Sequence, residues 1–272
     1  MNFFLAPTPA SAEIQDPLAY RWRHSTLVPI HPVQAVALDD LLGIERQKAM
    51  LVQNVAQFVM RAPANHVLLT GSRGTGKSSL VKALLTHFAP QGLRVVEVPP
   101  QDLVDLPDVV APLRNREERF LLYVDDFSVA GNDRALTSLK TALDGGLEEP
   151  AENVLIVATS NRRYLLPTSK QDNGEFRWEN DELQPGESTE EKISLSERFG
   201  LWLSFQAFNQ AQYLDVVQLH LRRLGIAEWD ETLEKEALRW ALNRASRSGR
   251  VAQQFARHHA GQRATAGGKA PP

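Results

Sequence analysis

No cysteine occurs anywhere in the 272 residues. That absence excludes disulfides, thiolate nucleophiles and cysteine-ligated zinc together. Charge of a dominant sign is missing too. Lys and Arg number 30 against 33 Asp and Glu, a formal net charge of −3, so the chain as a whole has no electrostatic pull toward nucleic acid or an anionic membrane. Any such partner must be met by a local patch. No apolar run approaches the roughly 20 residues that span a bilayer. Met1 to Ala12, uncharged before its apolar part and broken by Pro7 and Pro9, makes a poor signal peptide. The expected location is a bacterial-type cytoplasm, with no membrane partner. A hydrophobic share of 43% leaves enough apolar material for one large α/β core, or one core with a smaller satellite.

What is present centres on Gly71-Ser72-Arg73-Gly74-Thr75-Gly76-Lys77-Ser78. The apolar run His66 to Thr70 precedes it, and a helical pattern beginning Ser79-Leu80-Val81 follows. The form is that of a phosphate-binding P-loop, G-x-x-x-x-G-K-[ST]. Its glycines let successive backbone N–H groups point inward at a β-phosphate, and the positive end of the next helix adds to the same place. Lys77 is expected to reach the β- and γ-phosphates of ATP. The Ser78 hydroxyl is expected to hold Mg²⁺, with Ser79 completing the cradle.

Residues 1–37 carry Pro7, Pro9, Pro17, Pro29 and Pro32, a density that predicts an extended N-terminal arm. Tyr20-Arg21-Trp22-Arg23 is its anchor candidate, packed on the core or touching a neighbour. Leu42-Gly43-Ile44 precedes a helix over Glu45 to Arg61 and fits either an adenine cradle or an ordinary loop. Strands are expected at Leu93 to Val98, Phe120 to Val124, Val154 to Thr159 and Leu201 to Phe205, separated by helical stretches at Asp102 to Glu118 and Asn132 to Leu143. The continuous apolar runs suit strands buried on both faces of a parallel sheet. Strands alternating with helices after a P-loop define a doubly wound sheet whose ligands lie beyond the strands' carboxyl ends. Asp125-Asp126 and Asn161 fall at such ends.

The polar insertion 167–192 holds eight acids against three bases; it reads as a solvated loop or as a docking surface for a basic partner. From Asn209 the strands stop. Residues 208–260 read as a small helical lid, with Asp230 and Ser248 as caps, and residues 261–272 as a flexible tail. After Glu236 there are seven bases and no acid.

An acid at the end of a buried strand orients Mg²⁺, and a neighbouring carboxylate takes the proton from attacking water. Asp125 suits the first role and Asp126 the second, while Asn161 could position that water or the γ-phosphate. Together these residues resemble the AAA+ ATPase superfamily from about Leu38 to His259, with residues 38–207 as its α/β domain. Gly71 to Ser78 is similar to its Walker A motif, Phe120 to Asp126 to its Walker B, and Asn161 to its sensor 1. Arg198 in Ser-Glu-Arg-Phe-Gly resembles its arginine finger, and Arg250 in Ser-Gly-Arg-Val-Ala its sensor 2. The closest likeness is to an uncharacterised bacterial branch whose domain has no assigned function. The resemblance implies a P-loop NTPase sheet of AAA+ type followed by a small all-α lid. It also implies ATP and Mg²⁺ as cofactors and a ring or helical homo-oligomer, such as a hexamer, in which Arg198 enters the neighbour's site.

Two departures stand out. The family usually has Asp-Glu where this chain has Asp125-Asp126, which implies slower hydrolysis. The segment Val98-Pro99-Pro100-Gln101-Asp102-Leu103 lacks the aromatic of a threading pore loop, so an unfoldase is disfavoured. The leading expectation is therefore an Mg²⁺-dependent ATPase that changes conformation or assembly on an unknown protein client. The alternatives are a nucleotide-gated loader or initiator that holds DNA on its basic C-terminal helices, and a P-loop kinase.

Overall fold

The structure, a computed structural model, describes residues 17–127, 133–144, 149–161, 176–179, 182–185, 195 and 197–265. Its centre is a seven-stranded sheet in the order β2-β1-β4-β5-β6-β3-β9. The strands are β1 (Ala19–Arg23), β2 (Thr26–Pro29), β3 (Val67–Gly71), β4 (Leu93–Glu97), β5 (Arg119–Val124), β6 (Val154–Ser160) and β9 (Leu201–Phe205). Every neighbouring pair is parallel except β1 with β2. The apolar runs make both faces of the sheet core. In β5, Leu121 and Tyr123 join one buried cluster while Phe120, Leu122 and Val124 join the other, the period-two alternation of a strand covered on both sides.

Helices α1 (Glu45–Val59) and α2 (Lys77–Phe88) cover the first face. The second face meets α3 (Leu106–Val110) and α4 (Asp133–Asp144). Strands β7 (Phe176–Glu179) and β8 (Glu182–Pro185) pair antiparallel as a separate two-stranded sheet. The rest of the acidic insertion 167–192 lies outside the described residues.

Three helices close the chain: α5 (Gln210–Arg223), α6 (Glu231–Asn243) and α7 (Gly249–Thr265). Asn209 and Gln212 form a reciprocal capping box at the start of α5, with bonds of 2.9 and 3.0 Å. Asp230 accepts from the Leu233 N–H at 2.8 Å and so starts α6. Tyr213, fully buried, donates to the Ala237 carbonyl at 3.1 Å and ties α5 to α6. The apolar faces of these helices are continuous with the α1 and α2 face of the sheet.

Three expectations need correction. The supposed arm supplies β1 and β2, because Ala19, Tyr20 and Trp22 bury against the sheet edge and Trp22 Nε1 donates to Asp105 at 2.9 Å. The stretch from Asp102 is a 3₁₀ turn (Pro100–Asp105) and the one-turn α3; Pro107 sits in the first turn of α3, where its missing N–H is no loss. The last helix runs to Thr265, through residues 261–265 expected in the tail. Among the described residues no helix is long and apolar enough to cross a membrane.

Candidate nucleotide-binding site

The β3 strand delivers the chain to the P-loop, and β9 runs so close beside it that a Cβ on Gly71 would fall 2.0 Å from the Phe205 carbonyl oxygen. Gly71 and Ser72 therefore serve the strand–strand contact and do not line the cavity, where the phosphate cradle was expected to include them; Ser72 N–H donates to Phe205 O at 3.2 Å. The loop proper is Arg73, Gly74, Thr75, Gly76, Lys77, Ser78 and Ser79, all at the cavity wall. Thr75 closes the loop on itself by donating to the Ser72 carbonyl at 2.8 Å. Helix α2 starts at Lys77 with Gly76 as its cap, which aims its unpaired N–H groups into the cavity.

Lys77 is only 5% exposed. Its ammonium donates to the carbonyls of Gly71 and Ser72, both at 2.8 Å, and to Asn161 Oδ1 at 3.3 Å. Burial lowers its pKa and the Arg73 cation adds to that, while Asp125 and Asp126 oppose it.

Parallel pairing brings the acids level with the loop. Thr70 of β3 stands opposite Ser160 of β6, and Val124 of β5 opposite Ala158. Asp125 Oδ1 accepts from Ser78 Oγ at 3.0 Å and from Thr159 Oγ1 at 2.6 Å. Burial pushes the Asp125 carboxyl up, but the Thr159 hydroxyl, the nearby Tyr123 hydroxyl, Ser78 and the Asp126 N–H together bring it below its ordinary value. Asp126, at φ +54°, donates its N–H to Thr159 Oγ1 at 2.9 Å. Its carboxylate accepts from Asn161 Nδ2 and stands 3.6 Å from Arg73 Nη2.

The lid reaches the loop directly. Gly249 N–H donates to the Gly74 carbonyl at 2.8 Å, and Arg250, in the first turn of α7, lines the cavity. An arginine there opposes the helix dipole unless an anion is bound beside it. The cavity encloses about 800 Å³, a size that holds a small-molecule ligand. Its far end is walled by Gln34, Ala35 and Val36, by Leu41, Leu42 and Ile44, and by Val216, His220 and Gln253 of the lid. Asp40 and Arg223 form an ion pair across this end. Burial lowers the His220 pKa, Arg223 and Arg257 lower it further, and Asp40 opposes them.

Gly43 stands apart from the expected cradle: it is absent from the cavity wall, and its carbonyl accepts from Gln212 Nε2 of the lid at 3.3 Å. Arg198 is likewise outside the cavity. Its Nε donates to Asp144 at the end of α4 over 2.6 Å. Sequence reasoning missed Thr159, the Gln34 to Val36 wall and the His220–Arg223 face. Thr159 was findable as the last residue of an apolar strand two places before Asn161. The others carry no local motif.

A magnesium ion fits this corner. The donors are hard oxygens, a hydroxyl and a carboxylate. Among the described residues no three His, Asp or Glu side chains cluster, so the remaining ligands would be phosphate oxygens and water. One further group faces the corner. The Tyr123 hydroxyl lies beside Asp125, Ser78 and Thr159, and burial raises its pKa, so it stays protonated. Its oxygen is enclosed beside the Asp125 carboxylate, which it helps to hold ionised.

A P-loop at the carboxyl end of a parallel sheet, two acids on the strand beyond its neighbour and a helical lid define the AAA+ ATPase fold. RuvB of Thermotoga maritima, described as a Holliday junction branch migration motor, superposes with a TM-score of 0.60 at 15% identity, over 87% of this chain and 68% of that one. A variant of the same protein gives 0.61 at 16% identity, over 88% and 69%. No curated protein matches the sequence. The chain belongs to the family described as "Protein of unknown function (DUF815)", whose profile matches residues 15–263.

Proposed function

We propose that this protein binds ATP with Mg²⁺ in the cavity under the lid and hydrolyses it to drive a conformational or assembly change on a client. The observation that carries this is the convergence of Lys77, Ser78, Asp125, Asp126, Asn161 and Arg250, from four separate parts of the chain, on one cavity wall. Lys77 exchanges its loop carbonyls for β- and γ-phosphate oxygens. Ser78 and Asp125 hold the metal, which would supply charge neutralisation on the phosphates. Asp126 accepts the proton of the attacking water, and Asn161, already hydrogen-bonded to both Lys77 and Asp126, orients that water. Arg250 meets the γ-phosphate from the lid, so ATP and ADP hold the lid differently. Asp126 is one methylene shorter than glutamate, and turnover is correspondingly slow.

Arg198 completes the site of a neighbouring copy in a ring or helical oligomer. Its Asp144 pair is released on assembly. Phosphate release tests the enzymatic reading. Lys77→Ala and Asp126→Asn each lower turnover by roughly a hundredfold or more, and unchanged turnover in both overturns it.

A nucleotide-gated DNA-binding module is the second reading. It is favoured by the seven bases, with no acid among them, that follow Glu236. The seven terminal bases are less free than the sequence suggests, since Arg263 pairs with Glu228. A steep salt dependence of DNA binding supports this reading, and a flat one removes it.

A further inference from the structure

We infer that Arg73 is a catalytic residue that reaches the γ-phosphate from within the P-loop, holding it with one edge of its guanidinium while another faces Asp126. The inference rests on the functional reading above and deepens it.

The P-loop motif specifies Gly71, Gly76, Lys77 and Ser78 and leaves position 73 open. Backbone groups on both sides fix where that residue stands. Ser72 N–H donates to the Phe205 carbonyl at 3.2 Å, and the Ser72 carbonyl accepts from Thr75 Oγ1 and Lys77 Nζ, both at 2.8 Å. On the other side the Gly74 carbonyl accepts from Gly249 N–H at 2.8 Å. Arg73 thus springs from a pinned stretch at the cavity wall, and its side chain, 75% exposed, has room to swing.

Two further cations stand close by. Arg250 lines the same cavity, and its Cβ lies 3.6 Å from where a Cβ on Gly74 would be. Lys77 is near enough for Arg73 to lower its pKa, and like charges around one space favour an anion between them. Of the acids, Asp125 is taken up by Ser78 and Thr159 at the metal corner. Asp126 stands 3.6 Å from Arg73 Nη2, and both side chains are more than half exposed, so that contact is long and contributes little. A terminal phosphate is the stronger partner, because paired N–H groups of a guanidinium match its oxygens. Asp126 faces the attacking water in the functional reading, so the phosphate beside it is the γ-phosphate. Arg73 then neutralises developing charge from the same chain, independently of a neighbour's Arg198.

Arg73→Gln keeps a polar side chain and removes the charge. Calorimetric titration compares a non-hydrolysable ATP analogue with ADP, both with Mg²⁺, and phosphate release is measured on dilute protein. Expected for Arg73→Gln is a loss of roughly tenfold or more in affinity for the analogue, as for a hydrogen bond to a charged group. Its ADP affinity equals that of the parent, which also shows that the variant is folded. Phosphate release from dilute protein falls by at least about tenfold. Analogue affinity equal to that of the parent overturns the inference, as does unchanged phosphate release. So does an equal loss for analogue and ADP, which marks a distorted loop. Absence of binding of either nucleotide by the parent overturns the functional reading instead, and the inference with it.

Discussion

The Gly249 N–H donates to the Gly74 carbonyl over 2.8 Å, so the first residue of the last helix is bonded to the middle of the P-loop. Lid position and loop conformation are thereby one variable. A Cβ on Gly74 would come within 2.9 Å of Ser248, at a φ of +73°. Gly74→Ala is expected to cost about 1–3 kcal/mol through left-handed strain and lid displacement. Urea unfolding measures the loss, and hydrogen exchange should locate it in α7 and the loop. Protection of α7 equal to that of the parent contradicts the coupling.

Thr159 joins both acids, donating to Asp125 and accepting from the Asp126 N–H. Thr159→Val keeps the shape and strands that N–H. The expected result is a fall in stability of about 1–3 kcal/mol together with slower phosphate release. Parent-like turnover would show that the two acids hold their geometry without it.

Half-buried His66 accepts the Ile156 N–H on its Nδ1 at 3.1 Å. Burial lowers its pKa from 6.5 to about 4. Between those values the unfolded chain takes up a proton that the folded protein refuses, so stability falls as pH drops from 6.5 to 4 and is fully present above 6.5. The loss amounts to at most about 3 kcal/mol. His66→Asn keeps an acceptor and removes the titration, so its unfolding midpoint should vary less across this window. An unchanged pH slope assigns the loss to other groups.

Much of this was legible in the sequence, and the reason differs by element. β3, β5 and β6 announce themselves because strands buried on both faces need uninterrupted apolar runs, as in Phe120 to Val124. The P-loop and Asp230 carry local signatures of backbone chemistry. The β1–β2 hairpin does not. Its two-residue turn, His24-Ser25, has both residues at positive φ, 50° and 56°, where the usual signal is Asn-Gly. The cavity's far wall was equally hidden, because Gln34 to Val36 and His220 meet only through the tertiary fold. Gly71 carries a task that its motif does not announce, clearance for the Phe205 backbone.

Arg198 offers a prediction that separates assembly from nucleotide binding. Arg198→Ala breaks the bond to Asp144 on the exposed side of the protein, where an ion pair contributes little to stability. Nucleotide affinity should match that of the parent, while phosphate release at high protein concentration falls at least tenfold. Unchanged phosphate release at every concentration would remove the finger role.

Direct nucleotide binding bears most immediately on the proposed role of the cavity. Calorimetric titration of folded protein with ATP analogue and Mg²⁺ is expected to saturate at one nucleotide per chain, and the same titration of Lys77→Ala to show little or no heat. No binding by the parent, or equal binding by Lys77→Ala, would contradict it.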